Sequence, residues 1–152
     1  MPKSKPSYPP KSDVPAPADG ASTPKGNLLL RTLAMPSDTN PNGDLFGGWI
    51  MSQMDIAGGI LAKETALSRV ATVAVDGFKF LRPVKVGDVV CCYGRVQRIG
   101  TTSIAIELEV WIKSVRHATE EEWPRFKVTE ALFTYVAIDG EGNKRAIKTT
   151  LS

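Results

Sequence analysis

Leu45-Phe46-Gly47-Gly48-Trp49-Ile50-Met51-Ser52-Gln53-Met54-Asp55-Ile56-Ala57-Gly58-Gly59-Ile60-Leu61-Ala62-Lys63-Glu64 decides the fold, because it is the one stretch with a sustained helical period. Phe46, Ile50, Met54, Ala57 and Leu61 recur at steps of three and four and line one stripe. Leu45, Trp49, Ile56 and Ile60 widen that stripe to about half the circumference. The other side carries Gly48, Ser52, Asp55, Gly58, Gly59 and Ala62, mostly too small to need solvent. Such a helix is expected to be buried nearly all round, with close backbone approach on its small side.

Outward from the helix the period changes to two. Asn27–Ala34 is an apolar run that predicts a first strand, and Met35–Asp44 is dense in Pro, Asn, Asp and Gly, which is loop chemistry. After the helix, Ala71–Phe80 and Val89–Ile99 predict two strands on either side of Pro83 and a turn at Val86-Gly87-Asp88. Thr102–Ser114 alternates most cleanly, with Ile104, Ile106, Leu108, Val110 and Ile112 on one face. A charged excursion over His117–Pro124 precedes a last strand, Phe126–Ile138, and Asp139–Asn143 is a turn with a short edge expected beyond it. One helix and about five strands make an α+β fold, whose antiparallel sheet must wrap around the central helix to cover it. The helix's small face and one sheet edge then remain uncovered, which predicts a dimer.

The 152 residues are 42% hydrophobic and 23% charged, values of a globular chain rather than a disordered one. No apolar run approaches the roughly 20 residues that span a bilayer, so no membrane insertion is expected. The formal charge is +3, of which +2 falls in residues 1–26 and +1 in the rest, against the basic excess of a nucleic-acid-binding domain. Cys91 and Cys92 are the only cysteines, and neighbours on a strand point to opposite faces. An unbridged pair fits a reducing compartment or indifference to redox state, and a cytoplasmic location is expected. With His117 the single histidine, a zinc site built on His and Cys clusters is not expected, and no metal is expected. Acid–base chemistry then falls to carboxylates. His117 itself, near no motif, reads as a surface residue. Residues 1–24 hold seven of the eleven prolines, so residues 1–25 read as a disordered Pro-rich extension, with a proline-rich docking ligand as the sharper alternative. The folded domain is placed at 26–140 and a C-terminal tail at 141–152.

Asn40-Pro41-Asn42-Gly43-Asp44-Leu45-Phe46-Gly47-Gly48-Trp49, running on through Met51-Ser52-Gln53-Met54-Asp55, resembles the signature of the YciA-type acyl-CoA thioesterases of the hotdog-fold superfamily. Phe78–Asp88 and Lys127-Val128-Thr129-Glu130-Ala131 match the same family, and the resemblance covers roughly residues 26–140. It implies a hotdog fold and hydrolysis of acyl-CoA to free acid and coenzyme A. No cofactor is implied, since coenzyme A belongs to substrate and product. It also implies a homo-oligomer of dimers, commonly three dimers in a hexamer, with active sites at the dimer interface.

Within that resemblance the catalytic carboxylate falls on Asp44, where a loop meets the helix. A carboxylate there can serve as general base or as nucleophile; the competing reading is an N-cap worth about 1 kcal/mol. The exposed N–H groups at the helix start, over Gly47 and Gly48, are the natural oxyanion stabilisers. Asp55 lies eleven residues on, about 16 Å along the helix, too far to pair with Asp44 in one subunit. It is either a catalytic acid reached across the dimer or a structural aspartate. Asn42 either orients water or the thioester oxygen, or makes an Asx-turn. For the coenzyme A phosphates Arg82 is the first candidate, followed by Lys79, Arg98, Lys113 and Arg116, each against the alternative of a solvated surface charge. Thr72 is a candidate to face the site from the partner subunit. The rival functions are a hotdog dehydratase, which would need a well-placed histidine, and a non-catalytic acyl-CoA binder, which would not need Asp44.

Overall fold

The two-residue alternation of Ser103–Lys113 (β4) sends Ile104, Ile106, Leu108, Val110 and Ile112 to one sheet face, where each is almost completely buried. The computed structural model describes residues 23–113 and 125–148. Within them, β1 (Asn27–Leu33), β2 (Arg69–Phe80), β3 (Val89–Ile99), β4 and β5 (Arg125–Ile138) form one five-stranded sheet in the order β1-β3-β4-β5-β2, with every pair antiparallel. The single α-helix among the described residues, α1 (Gly47–Ala66), packs against all five strands. This is the α+β wrap expected from the sequence. The C-terminal edge is also present: Lys144 bridges to Ile138, and Ile147 packs against the core.

The helix is rotated from its expected setting. Ile50, Met54, Ala57, Gly58, Ala62 and Ala66 face the sheet, while Phe46, Ile56 and Ile60 are 51%, 50% and 41% exposed. Tyr135 on β5 explains the difference. A Cβ at Gly58 would fall 2.3 Å from its hydroxyl and 2.9 Å from Leu108 Cδ1, so the small side must turn inward to let this side chain pass. The isoleucines expected in the core are thereby left on the outer surface of the helix. Beside them β2 pairs, among the described residues, only with β5 and leaves its other edge open, with Val73 56% exposed.

The sheet's outer face carries buried charge. Lys127 Nζ, with its side chain wholly covered, lies 2.8 Å from Glu130 Oε2 and 4.0 Å from Glu109 Oε2. Glu109 Oε1 accepts from the Trp111 indole at 2.8 Å and from the main-chain N–H of Lys25 at 3.2 Å. Arg116, His117 and Trp123, together with the Pro-rich extension through residue 22, fall outside the described residues.

Candidate active site

The loop before α1 is held by one side chain. Asn40 Oδ1 accepts the main-chain N–H groups of Asn42 (2.9 Å) and Asp44 (3.1 Å), and Gly43 turns the chain at φ +83°. The Asx-turn residue is therefore Asn40, and Asn42, to which the sequence reading gave that alternative, is exposed at the tip. Leu45 N–H donates to Val84 and Phe46 N–H to Asp38, which fixes the helix start against the Leu81–Lys85 segment.

Asp44 does not cap the helix. Phe46 occupies that position and no side chain caps it. The Asp44 carboxylate instead takes a 2.5 Å contact from Lys85 Nζ, and the two residues also form a β-bridge. The ion pair and the bridge together tie the loop to Lys85. With the cap position unfilled, the N–H groups of Gly47 and Gly48 meet no acceptor among the described residues. A Cβ at Gly48 would meet nothing within 4 Å, so a carbonyl oxygen has open access.

Beside the first of these donors, Gly47, lies a cavity of about 350 Å³. Asn40, Asp44, Gly47 and Ile50 line it from the loop and helix, and Phe80, Leu81 and Arg82 from the end of β2 and the segment after it. The half-buried Arg82 places its guanidinium carbon 3.9 Å from the centre of the Phe126 ring. Stacking of this kind holds the guanidinium plane while leaving its N–H edges available to a phosphate. A second cavity, on the outer face of the sheet, is lined by Asp76, Glu107, Glu109 and Glu130 with Lys25 as its one cation among the described residues, a less favourable setting for a polyphosphate than the first.

Asp55 sits eight residues into α1 from Gly47, about 12 Å along the axis. Thr72 Oγ1 donates to its Oδ1 at 2.6 Å, and the Tyr135 hydroxyl is 3.1 Å from the same oxygen. Among the described residues no donor reaches Oδ2. Burial, followed by the charge of Asp55 and the hydrogen bond to it, raises the Tyr135 pKa, so the phenol stays protonated and donates.

The expected coenzyme A residues divide. Arg82 lines the cavity at the helix start; Lys79, exposed on β2, does not. Arg98 lies nine residues along β3 from Val89, some 30 Å from the end of that strand nearest the cavity, and one chain does not bring the two together. Lys113 ends β4 opposite Val89, at the cavity end of the sheet. Asn40, Phe80 and Lys85 lie in the stretches that carry the family resemblance, yet the sequence assigns them no role of their own, and Tyr135 lies outside those stretches. A tyrosine at a core-facing strand position carries no distinguishing local pattern.

Residues 42–118 match the model of the thioesterase superfamily. The chain is 64% identical over 124 residues to the acyl-CoA thioester hydrolase YciA of Escherichia coli K12, covering 82% of this chain and 92% of that one. Among solved structures, a hexameric broad-specificity acyl-coenzyme A thioesterase, HI0827, is 56% identical with a TM-score of 0.79 and 90% of each chain covered. The hexameric thioesterase y2039 of Yersinia pestis is 58% identical with a TM-score of 0.77, over 84% of this chain and all of that one. An acyl-CoA hydrolase of Staphylococcus aureus, solved with butyryl-coenzyme A and coenzyme A, is 28% identical with a TM-score of 0.71, over 79% of this chain and 70% of that one. Family match, sequence identity and shared fold agree: the chain belongs to the thioesterase superfamily, among its YciA-type acyl-CoA thioester hydrolases.

Proposed function

We propose that the protein hydrolyses acyl-CoA thioesters to carboxylic acid and coenzyme A, in a site that two subunits complete together. The observation that carries the mechanism is the state of Asp55. Thr72 and Tyr135 hold one of its carboxylate oxygens, no donor among the described residues reaches the other, and the flanking Ile56 and Ile60 are exposed apolar residues. A carboxylate oriented in this way on an uncovered face has the requirements of a general base. Two solved variants of the S. aureus hydrolase replace an asparagine and an aspartate fifteen residues apart. Asn40 and Asp55 are the one Asn–Asp pair in this chain with that order and separation.

In this reading the helix start of one subunit supplies the oxyanion donors of Gly47 and Gly48, with Arg82 beside them for phosphate. Asp55 arrives from the partner. Asp55 takes a proton from water as the oxygen attacks the thioester carbon, and the developing oxyanion rests on the two N–H groups. Collapse of the tetrahedral intermediate breaks the C–S bond, and the proton passes to the departing sulfur. Asp44, paired with Lys85, keeps the loop in place. The open β2 edge and the exposed apolar side of α1 are the surfaces for the two-fold contact, and the hexamers of the relatives support three such dimers per assembly. Free, buried Cys91 and Cys92 accord with a cytoplasmic location.

Thiol release from acyl-CoAs tests the assignment. Asp55→Asn is expected to lose about 10²–10⁴-fold in kcat with the oligomer intact. Asp44→Asn is expected to lose far less. The reverse order would return the base to Asp44, and a wild type that releases no thiol would leave only an acyl-CoA binder.

A further inference from the structure

We infer that Phe80 is the residue that sets acyl-chain preference, as an aromatic wall resting on the start of the helix. This inference depends on the hydrolase reading above. Phe80 is the last residue of β2 and lines the 350 Å³ cavity, yet the residue is 48% exposed. The ring therefore borders the cavity and, within one subunit, is only partly covered. Its seat is Gly47: a Cβ there would lie 2.7 Å from Phe80 Cζ and 2.8 Å from Cε2. The ring thus occupies the room that any other residue at position 47 would fill. On the strand side, Phe78 supports it edge-on, with ring centres 4.8 Å apart and planes at 78°.

The position of the ring relative to the polar groups decides what it touches. The free N–H groups of Gly47 and Gly48 fix where a thioester oxygen is held, and Arg82 marks the phosphate end of the substrate. Phe80 lies against Gly47 itself, so it borders the reacting carbonyl and the first carbons of the acyl group. Bulk at this point limits what extends past the carbonyl. A smaller residue opens the cavity toward the solvent side, while a larger one closes it further.

The test is a panel of acyl-CoAs from acetyl to palmitoyl, run with wild type, Phe80→Ala, Phe80→Leu and Phe80→Trp, with sedimentation to follow the assembly. The expected result is a rise of about tenfold or more in the long-to-short ratio of kcat/KM for Phe80→Ala, a smaller rise for Leu and a fall for Trp. An equal change in KM for every chain length would place the ring against the pantetheine arm and overturn the inference. So would an unchanged ratio, or a loss of activity that follows dissociation of the oligomer. A wild type inactive on the whole panel would instead refute the hydrolase reading, and the two failures are thereby distinct.

Discussion

The hydroxyl of Tyr135 lies 3.1 Å from Asp55 Oδ1 and 3.1 Å from the main-chain oxygen of the same residue, having crossed from β5 to α1 over Gly58. This contact ties the core of the sheet to a carboxylate on the outer part of the helix. Together with Thr72 it fixes which oxygen of Asp55 is occupied and which is free. Tyr135→Phe removes the donor while keeping the packing. It is predicted to cost about 1 kcal/mol of stability by urea titration and to lower kcat by a factor that Thr72→Val reproduces in part. A Tyr135→Phe enzyme with wild-type kcat would show that orientation of Asp55 does not depend on this bond.

Gly58 tests the same contact from the helix side. Gly58→Ala favours the helix intrinsically, since alanine is the better helix former by about 1 kcal/mol. Here the added methyl collides with Tyr135 and Leu108, and the net change is predicted to be a loss of about 1–3 kcal/mol. Stabilisation would mean that Tyr135 can retreat without cost. Gly59→Ala, whose Cβ would meet only Tyr135 Cε1 at 3.9 Å, serves as the control.

The element pattern was legible in the sequence because burial and local period coincide. Ser103–Lys113 alternates and is a strand, and the Pro/Asn/Gly/Asp stretch before Leu45 is a loop. The rotation of α1 was not legible, because an isoleucine reads as core whether sheet or partner covers it, and only Tyr135 decides that Gly58 faces inward. The position of Asp44 before the helix reads as a cap and the family resemblance makes it catalytic; the structure overturns only the cap, which Phe46 takes. Its ion pair with Lys85, forty-one positions away, has no local pattern to announce it. Asp55 depends likewise on Thr72 and Tyr135, which fall on two other strands.

Burial separates the cysteines from chemistry. Cys92 is pushed up to about 12, first by desolvation and then by the neighbouring Cys91, so almost no thiolate exists near neutral pH. Cys91 is 4% exposed and Cys92 fully covered. Dithionitrobenzoate at pH 8 is therefore predicted to find no thiol on the folded protein within the time of an assay and two after denaturation. A rapid reaction of one thiol in the native state would show that the sheet opens at β3. The outcome matters practically, since the same reagent reads the coenzyme A released by the enzyme.

The buried pair on the outer face is predicted to be the most sensitive electrostatic feature. Lys127 is enclosed beside Glu109 and Glu130, and its removal leaves Glu109, with a side chain 3% exposed, without that cation. Lys127→Met is expected to cost about 3–5 kcal/mol, far more than breaking the exposed Lys85–Asp44 pair, for which about 0–1 kcal/mol is expected. Equal effects of the two substitutions in urea melts would contradict the burial of the cluster.

Alkali gives a last test of the Tyr135 contact, with a definite sign. Its pKa in the folded protein is raised above the ordinary value of 10, chiefly by burial and then by the charge and hydrogen bond of Asp55. Below pH 10 both folded and unfolded chains keep the phenolic proton, and the contribution to stability does not vary. Above it the unfolded chain releases that proton while the folded chain retains it, so stability falls as pH rises. Wild type is predicted to lose stability through this range more steeply than Tyr135→Phe, measured by urea melts at successive pH values. The phenolate absorbance of Tyr135 is expected to emerge only with unfolding. Parallel pH profiles for the two proteins would mean that the hydroxyl titrates freely, and that the bond holding Asp55 is not maintained in solution.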